Sequence, residues 1–300
     1  MLTNPVMTAS GTAGHGAELA RYVDLASLGA VVVKSLSAEP WAGNPPPRVH
    51  QTDGGMLNSV GLQNPGVEAW REHELPALLA TGARVVASIW GFSTEGYEKA
   101  AAMLADCPPE VVAVEVNLSC PNLHGDGIFA HSPEATASAT AATAGCNRPR
   151  WAKLSPNVED ITQIARFALE AGAEALTLVN TVRGMAFDPT TRRSRLGGEG
   201  GGLSGPAIRP VAVRAVYECR RAFPDAPIVG VGGVARGEDA AELLVAGANA
   251  VQVGTATFAD PRATTRVLGE LTSWCRAHDV GRIADLVGSG HTGTAFGHGG

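Results

Sequence analysis

The run Ile228-Val229-Gly230-Val231-Gly232-Gly233 and, one helix-length later, Ala250-Val251-Gln252-Val253-Gly254-Thr255 decide how this chain is read. Each is a short, mostly apolar strand that stops on residues with little side chain. Near-continuous apolarity, rather than alternation, suits parallel strands buried on both faces. Gly237–Gly247 lies between them and reads as a helix, so the unit is strand–helix–strand. Gly-Gly after one strand and Gly-Thr after the next can present bare backbone N–H groups, an arrangement that barrels commonly use to hold a phosphate. The alternative is that these glycines only make tight turns. Gly230-x-Gly232-x-x-Ala235 also matches the dinucleotide fingerprint, but that fingerprint needs an acidic residue near the end of the next strand. Ala250–Val253 offers none, so a nicotinamide site is rejected.

Working outward, six more runs of the same kind precede this pair: Val6–Ala9, Val31–Val33, Val85–Ile89, Val111–Val116, Trp151–Leu154 and Ala175–Val179. Amphipathic segments separate them. In Glu159–Ala171 the residues Ile161, Ile164, Ala165, Ala168 and Leu169 recur at helical spacing, as do Ile208, Val211, Ala212, Ala215, Val216 and Cys219 in Ala207–Phe223. Gly237–Gly247 and Pro261–His278 fit less strictly, and Gly29, Gly82, Gly172 and Gly247 read as helix C-caps. Eight strands alternating with helices predict an α/β fold, a (β/α)8 TIM barrel, with an open doubly wound sheet as runner-up. Two loop-like stretches break the repeat, Trp41–Leu62 and Gly184–Leu203. In a barrel both follow the carboxyl ends of strands, where active-site loops belong. Residues 1–287 read as one barrel domain and residues 288–300 as a disordered Gly/His-rich tail.

The residues that close the strands are polar. Val31–Val33 ends in Lys34; Val111–Val116 contains Glu115 and runs into Asn117-Leu118-Ser119-Cys120-Pro121-Asn122; Trp151-Ala152 leads to Lys153; Leu178-Val179 leads to Asn180-Thr181. Of the 23 Lys and Arg only three are Lys, and two of these, Lys34 and Lys153, stand at strand ends. One such lysine could simply snorkel to solvent; two beside a phosphate-type site point to an anion. Cys120 sits in a polar turn, poor core material and a plausible place for a reactive side chain.

Composition narrows the class. A net charge of −6 without a basic run argues against nucleic acid as partner. The five cysteines form no C-x-x-C pair, which argues against a disulfide framework, a zinc site or an iron–sulfur cluster held by this chain. The histidines show no metal spacing. No signal-like start and no apolar run of roughly 18 residues is seen, so a cytoplasmic protein off the membrane is expected. The residues alone thus support a barrel with a phosphate-bearing ligand, two lysines, an amide-rich pocket and a candidate cysteine. They leave open a flavin-free isomerase or lyase, and a barrel that only binds.

Taken together, a set of motifs resembles the FMN-dependent dihydroorotate dehydrogenases along almost the whole chain. They are Asn4–Gly11, Val33-Lys34-Ser35, Gly43-Asn44-Pro45 with Pro47-Arg48, Met56–Gly66, Asn117–Asn122, Lys153-Leu154-Ser155-Pro156-Asn157, Asn180-Thr181, Gly201–Pro206, Gly232-Gly233-Val234 and Gly254-Thr255-Ala256. Met56–Gly66 and Lys153–Asn157 look most like the class 1, type B catalytic subunit, which works with a second subunit carrying FAD and [2Fe–2S] and with NAD.

The resemblance implies oxidation of dihydroorotate to orotate in pyrimidine biosynthesis. Cys120 would be the base for the C5 proton, and Lys153 would stabilise negative charge on the reduced flavin. Ser10, Lys34, Ser35, Asn117, Val179, Ser204 and Gly205 would contact FMN, whose phosphate would lie on Gly232, Gly233, Gly254 and Thr255. Lys34, Asn58, Asn117, Asn122, Asn180 and Thr181 would hold the substrate, since asparagine supplies both donor and acceptor to a pyrimidine ring. A homodimer core is also implied. Two departures bear on substrate identity, and a paralogue acting on a related dihydropyrimidine is the alternative they raise. Trp90 stands where the family usually carries a small residue, and there it could either narrow the pocket or merely pack; Leu123–Phe129 differs from the usual loop after the base.

Overall fold

A computed structural model describes residues 2–119, 128–198 and 200–291. Eight parallel strands form its centre: β1 (Val6–Thr8), β2 (Val31–Val32), β3 (Val85–Ile89), β4 (Val111–Asn117), β5 (Arg150–Leu154), β6 (Ala175–Leu178), β7 (Ile228–Val231) and β8 (Ala250–Val253). All eight coincide with runs predicted from apolarity. Each pairs with its neighbour in chain order from β2 to β8, and β8 pairs in parallel with β1. A parallel bridge between Met7 and Ala30 closes the ring from β1 to β2. There the Thr8 hydroxyl takes over from the backbone ladder: it accepts from Val32 N at 2.8 Å and donates to Val32 O at 3.3 Å. The result is a (β/α)8 barrel rather than an open sheet.

The strand faces sort themselves by alternation. Val85, Ala87, Ile89, Val114, Val116, Leu176, Leu178, Val251 and Val253 pack outward with the helices in the larger hydrophobic cluster. Met7, Ala30, Val32, Val86, Ala113, Val229 and Ala250 form a separate cluster inside the barrel. The helices follow their predicted stripes except at Val211, which helical spacing places on the buried face and which is exposed. Ile161–Glu170 starts at Asp160, whose carboxylate accepts from Thr162 N at 2.8 Å, and it buries Ile161, Ile164, Ala165 and Ala168. Arg209–Ala222 buries Ala212, Ala215, Val216 and Cys219.

Three local readings change. Gly82, Gly172 and Gly247 have the positive φ of a helix C-cap, but Gly29 does not. It is needed for close approach, because a Cβ there would stand 2.4 Å from Asn4 O. The fold also runs past residue 287: Ser289–His291 form a 3-10 turn, and the His291 ring stacks on Tyr217 with centroids 4.1 Å apart. Residues 292–300 lie outside the described residues.

The third change concerns the two stretches read as loops, which pair with each other. Val49–Thr52 and Gly55–Asn58 form a hairpin across Asp53-Gly54, and Gly201–Ser204 lies antiparallel between Gly55–Asn58 and Val182–Gly184. This four-stranded sheet supplies one wall of the cavity described next.

Candidate functional site

A cavity of about 680 Å³ opens at the carboxyl ends of the barrel strands. That size is ordinary for a ligand pocket. Every described residue singled out from the sequence as a site candidate lines it. Ser10, Lys34, Ser35, Asn117, Lys153, Val179, Asn180 and Thr181 come from the ends of β1, β2, β4, β5 and β6; Gly232, Gly233, Gly254 and Thr255 come from β7 and β8; Asn58, Ser204 and Gly205 come from the accessory sheet. The proposed base Cys120, and Asn122, lie outside the described residues.

The polar wall is a connected set of short side chains. Asn117 donates from Nδ2 to Ser35 Oγ at 3.1 Å, and its Oδ1 accepts from Asn180 Nδ2 at 3.1 Å. Ser35 reaches Ser88 at 2.9 Å and Ser10 at 3.2 Å. Asn180 Oδ1 in turn accepts from Thr181 N at 2.8 Å. Each amide is thereby fixed in orientation, so the donors and acceptors it shows to the cavity are pre-set. The Leu178–Val179 peptide is cis. Asn58, on the opposite wall, donates to Gly202 O at 3.2 Å. Ser119 Oγ is buried without a partner among the described residues.

The far end is backbone. Among the described residues no protein acceptor takes the amide hydrogens of Gly233, Gly254 or Thr255. Gly233 has φ +78°, and a Cβ there would come within 2.5 Å of Arg209 Cβ, so this turn has no room for a side chain. Gly233 is buried and Gly254 and Thr255 half-buried; three partnerless amides at one end of the cavity fit an anionic group such as a phosphate. The Thr255 hydroxyl donates to Ser204 Oγ at 2.8 Å, tying this cradle to the accessory sheet.

The two lysines have different surroundings. Lys34 carries no carboxylate partner among the described residues; burial, with the Arg48 charge adding to it, pulls its pKa below the ordinary lysine value. Nearby His15 is held down to about 4, first by burial and then by Lys34, with Glu18 opposing, so its imidazole is neutral at pH 7. Lys153 instead sits 3.3 Å from Glu115 Oε1, and Glu115 Oε2 accepts from Gln252 Nε2 at 2.8 Å. Neither Glu115 nor Gln252 lines the cavity; both stand behind Lys153. Reading the sequence noted Glu115 without giving it a role, and missed Gln252. The signal was there: each is the one polar residue between apolar neighbours in its strand, on the inward face.

Trp90 does not line the cavity. It is buried with its ring edge-on to Phe92 at 4.6 Å and to Trp41 at 6.4 Å. Trp41 Nε1 donates to Gly61 O at 2.9 Å, so this aromatic group braces the start of the Trp41–Leu62 insertion. Of the two roles considered for Trp90, packing is the one observed.

A closed (β/α)8 barrel with its cavity at the carboxyl ends of the strands is the architecture of a barrel enzyme. Comparison with known proteins narrows this further. The family model described as dihydroorotate dehydrogenase matches residues 1–274, and the chain belongs to that family of flavin-dependent oxidoreductases. A protein of Solibacter usitatus (strain Ellin6076), provisionally named dihydroorotate dehydrogenase A (fumarate), is 50% identical over 290 residues, covering 96% of this chain and 95% of its own. Two similar proteins are named dihydroorotate dehydrogenase B (NAD(+)), catalytic subunit. That of Desulforudis audaxviator (strain MP104C) is 48% identical over 292 residues, 97% of this chain and 94% of its own. That of Geobacter sp. (strain M21) is 46% identical over 290 residues, 96% and 94% respectively. No helix among the described residues is long and apolar enough to cross a membrane, and no group of metal-ligating side chains is found among them.

Proposed function

We propose that this chain oxidises dihydroorotate to orotate in pyrimidine biosynthesis with FMN as its cofactor. The observation that carries the reading is the convergence, in one cavity, of a bare-amide cradle, a buried lysine and a fixed asparagine wall, in a chain of this family. The cavity suits FMN at both ends. The free amides of Gly233, Gly254 and Thr255 take the phosphate, and Ser10, Lys34, Ser35, Asn117, Val179, Ser204 and Gly205 line the remainder.

When bound, FMN supplies the acceptor for the hydride leaving C6 of dihydroorotate. Cys120 takes the proton from C5, so that one proton and one hydride leave and a C5–C6 double bond remains. A thiol of ordinary pKa near 8.5 suits that base at mildly alkaline pH. Lys153 places a positive charge where electron density collects during hydride transfer. Asn58, Asn117, Asn122, Asn180 and Thr181 hold the pyrimidine ring, and Lys34, which has no carboxylate partner among the described residues, receives the substrate carboxylate.

The acceptor of the electrons is the finer question. The B-type names of several relatives, catalytic subunits with NAD(+), favour a separate partner subunit that passes electrons to NAD; FAD and [2Fe–2S] on that partner, a homodimer of this chain and a cytoplasmic place are what the family resemblance adds. The Solibacter relative favours a second reading, in which this chain alone reduces fumarate. Assays of the purified chain with dihydroorotate separate them. The B-type reading expects no turnover with fumarate, and NAD reduction only after the partner is added. Full-rate fumarate reduction by the chain alone would overturn it.

A further inference from the structure

The barrel interior poses a question that the proposed reaction leaves unanswered: why a charged pair lies under the cavity floor. Glu115 is fully buried and Lys153 nearly so. Barrel interiors are normally filled by apolar, mostly branched side chains, and one step lower Ala113 and Ala250 lie in an apolar layer with Val32, Val86 and Val229. A buried ion pair is poor evidence of added stability, because well-packed apolar residues do as well or better. Glu115 therefore needs another explanation.

The geometry supplies one. Of the three residues in the chain Gln252–Glu115–Lys153, only Lys153 reaches the cavity. Glu115 spends one oxygen on the ammonium and the other on Gln252, which orients the carboxylate from β8. Lys153 alone would be a flexible four-carbon stem with a strongly hydrated head. Unanchored, that head would be free to swing toward solvent. Anchored from behind by Glu115, it is held at a set place.

We propose that Glu115 is a positioning residue for the redox step, holding the Lys153 ammonium at the flavin edge, with Gln252 setting the carboxylate. This rests on the FMN reading above. Glu115→Gln keeps shape and removes the charge. Because only Lys34, Lys99 and Lys153 can contribute lysine signals, the Lys153 ammonium can be followed in 15N-lysine-labelled, FMN-loaded protein, assigned by substituting each lysine in turn.

The expected result has three parts. The Lys153 ammonium signal, protected in wild type at neutral pH, is lost in Glu115→Gln. The flavin midpoint potential becomes more negative. Reduction by dihydroorotate in a single turnover slows about tenfold, roughly the worth of one charge-assisted hydrogen bond, with little change in KM. Glu115→Asp restores part of each effect. If Glu115→Gln does not fold, Gln252→Leu tests the same chain with both charges kept, and the same changes are expected at smaller size. An unchanged Lys153 signal would overturn the proposal, and so would an unchanged or more positive potential, since the ammonium would then need no holder. Failure of the wild type to take up FMN would overturn the underlying reading as well. It shows before any variant is made, so the two failures are told apart.

Discussion

Inside the barrel, Met7, Ala30, Val32, Val86, Ala113, Val229 and Ala250 form an apolar plug. Two residues further along four of the same strands, on the same face, stand Lys34 after Val32, Ser88 after Val86, Glu115 after Ala113 and Gln252 after Ala250. One step along each strand thus separates a layer that packs from a layer that carries charge and hydrogen bonds. A (β/α)8 barrel confines chemistry to the carboxyl ends of its strands, and here the boundary falls between adjacent inward positions. The account therefore expects damage in the upper layer to cost activity with the fold intact. Damage in the lower layer should cost stability with activity per folded molecule intact.

The largest expected effect is in the upper region. Cys120→Ala should lower turnover about 10³-fold, within the range for loss of a general base, with FMN retained and the melting temperature nearly unchanged. A turnover within a fewfold of wild type would assign the base elsewhere. Gly233→Ala comes next. Its Cβ would press on Arg209 in a backbone conformation that side chains avoid, and FMN affinity, measured by fluorescence quenching on titration, should fall about 10- to 100-fold. Unaltered FMN binding would remove this turn from the cradle.

Met7→Ala probes the lower layer. A fully buried methionine cut back to alanine should lose about 3 kcal/mol of stability in denaturant unfolding, while kcat per folded molecule stays at wild type. A loss of kcat instead would erase the boundary between the layers. The smallest effect is at His15. Its pKa in the fold is about 4 against an ordinary 6.5, so between those values the unfolded chain takes up a proton that the folded chain refuses. That contribution is intact above pH 6.5 and is lost as pH falls toward 4. The melting temperature of His15→Gln should accordingly fall less than that of wild type over this window. Parallel curves would show that His15 titrates alike in both states.

The upper layer was also the more legible in sequence, because its residues interrupt apolar strands. Lys34, Asn117, Lys153 and Asn180 stand out as polar closers of buried runs, and all eight strands could be placed from apolarity alone. What could not be read depends on contacts distant in sequence. The pairing of Gly202 with Asn58 builds a sheet from two segments whose glycines carry no side-chain alternation. Asp53-Gly54 was a hairpin signal available there, as that dipeptide suits a two-residue turn. Gln252 becomes meaningful only when β8 and β4 face each other across the barrel. Trp90, suspected of narrowing the pocket, turns aside toward Trp41 and Phe92, a choice made by residues of another segment.

The measurement that tests the central claim most directly is an anaerobic titration of the purified, FMN-loaded chain, first with dihydroorotate and then, in a separate sample, with dihydrouracil, followed by flavin absorbance. The account predicts stoichiometric bleaching of the flavin by dihydroorotate and none by dihydrouracil. A protein that takes up no FMN, or whose bound flavin keeps its absorbance in excess dihydroorotate, would contradict it.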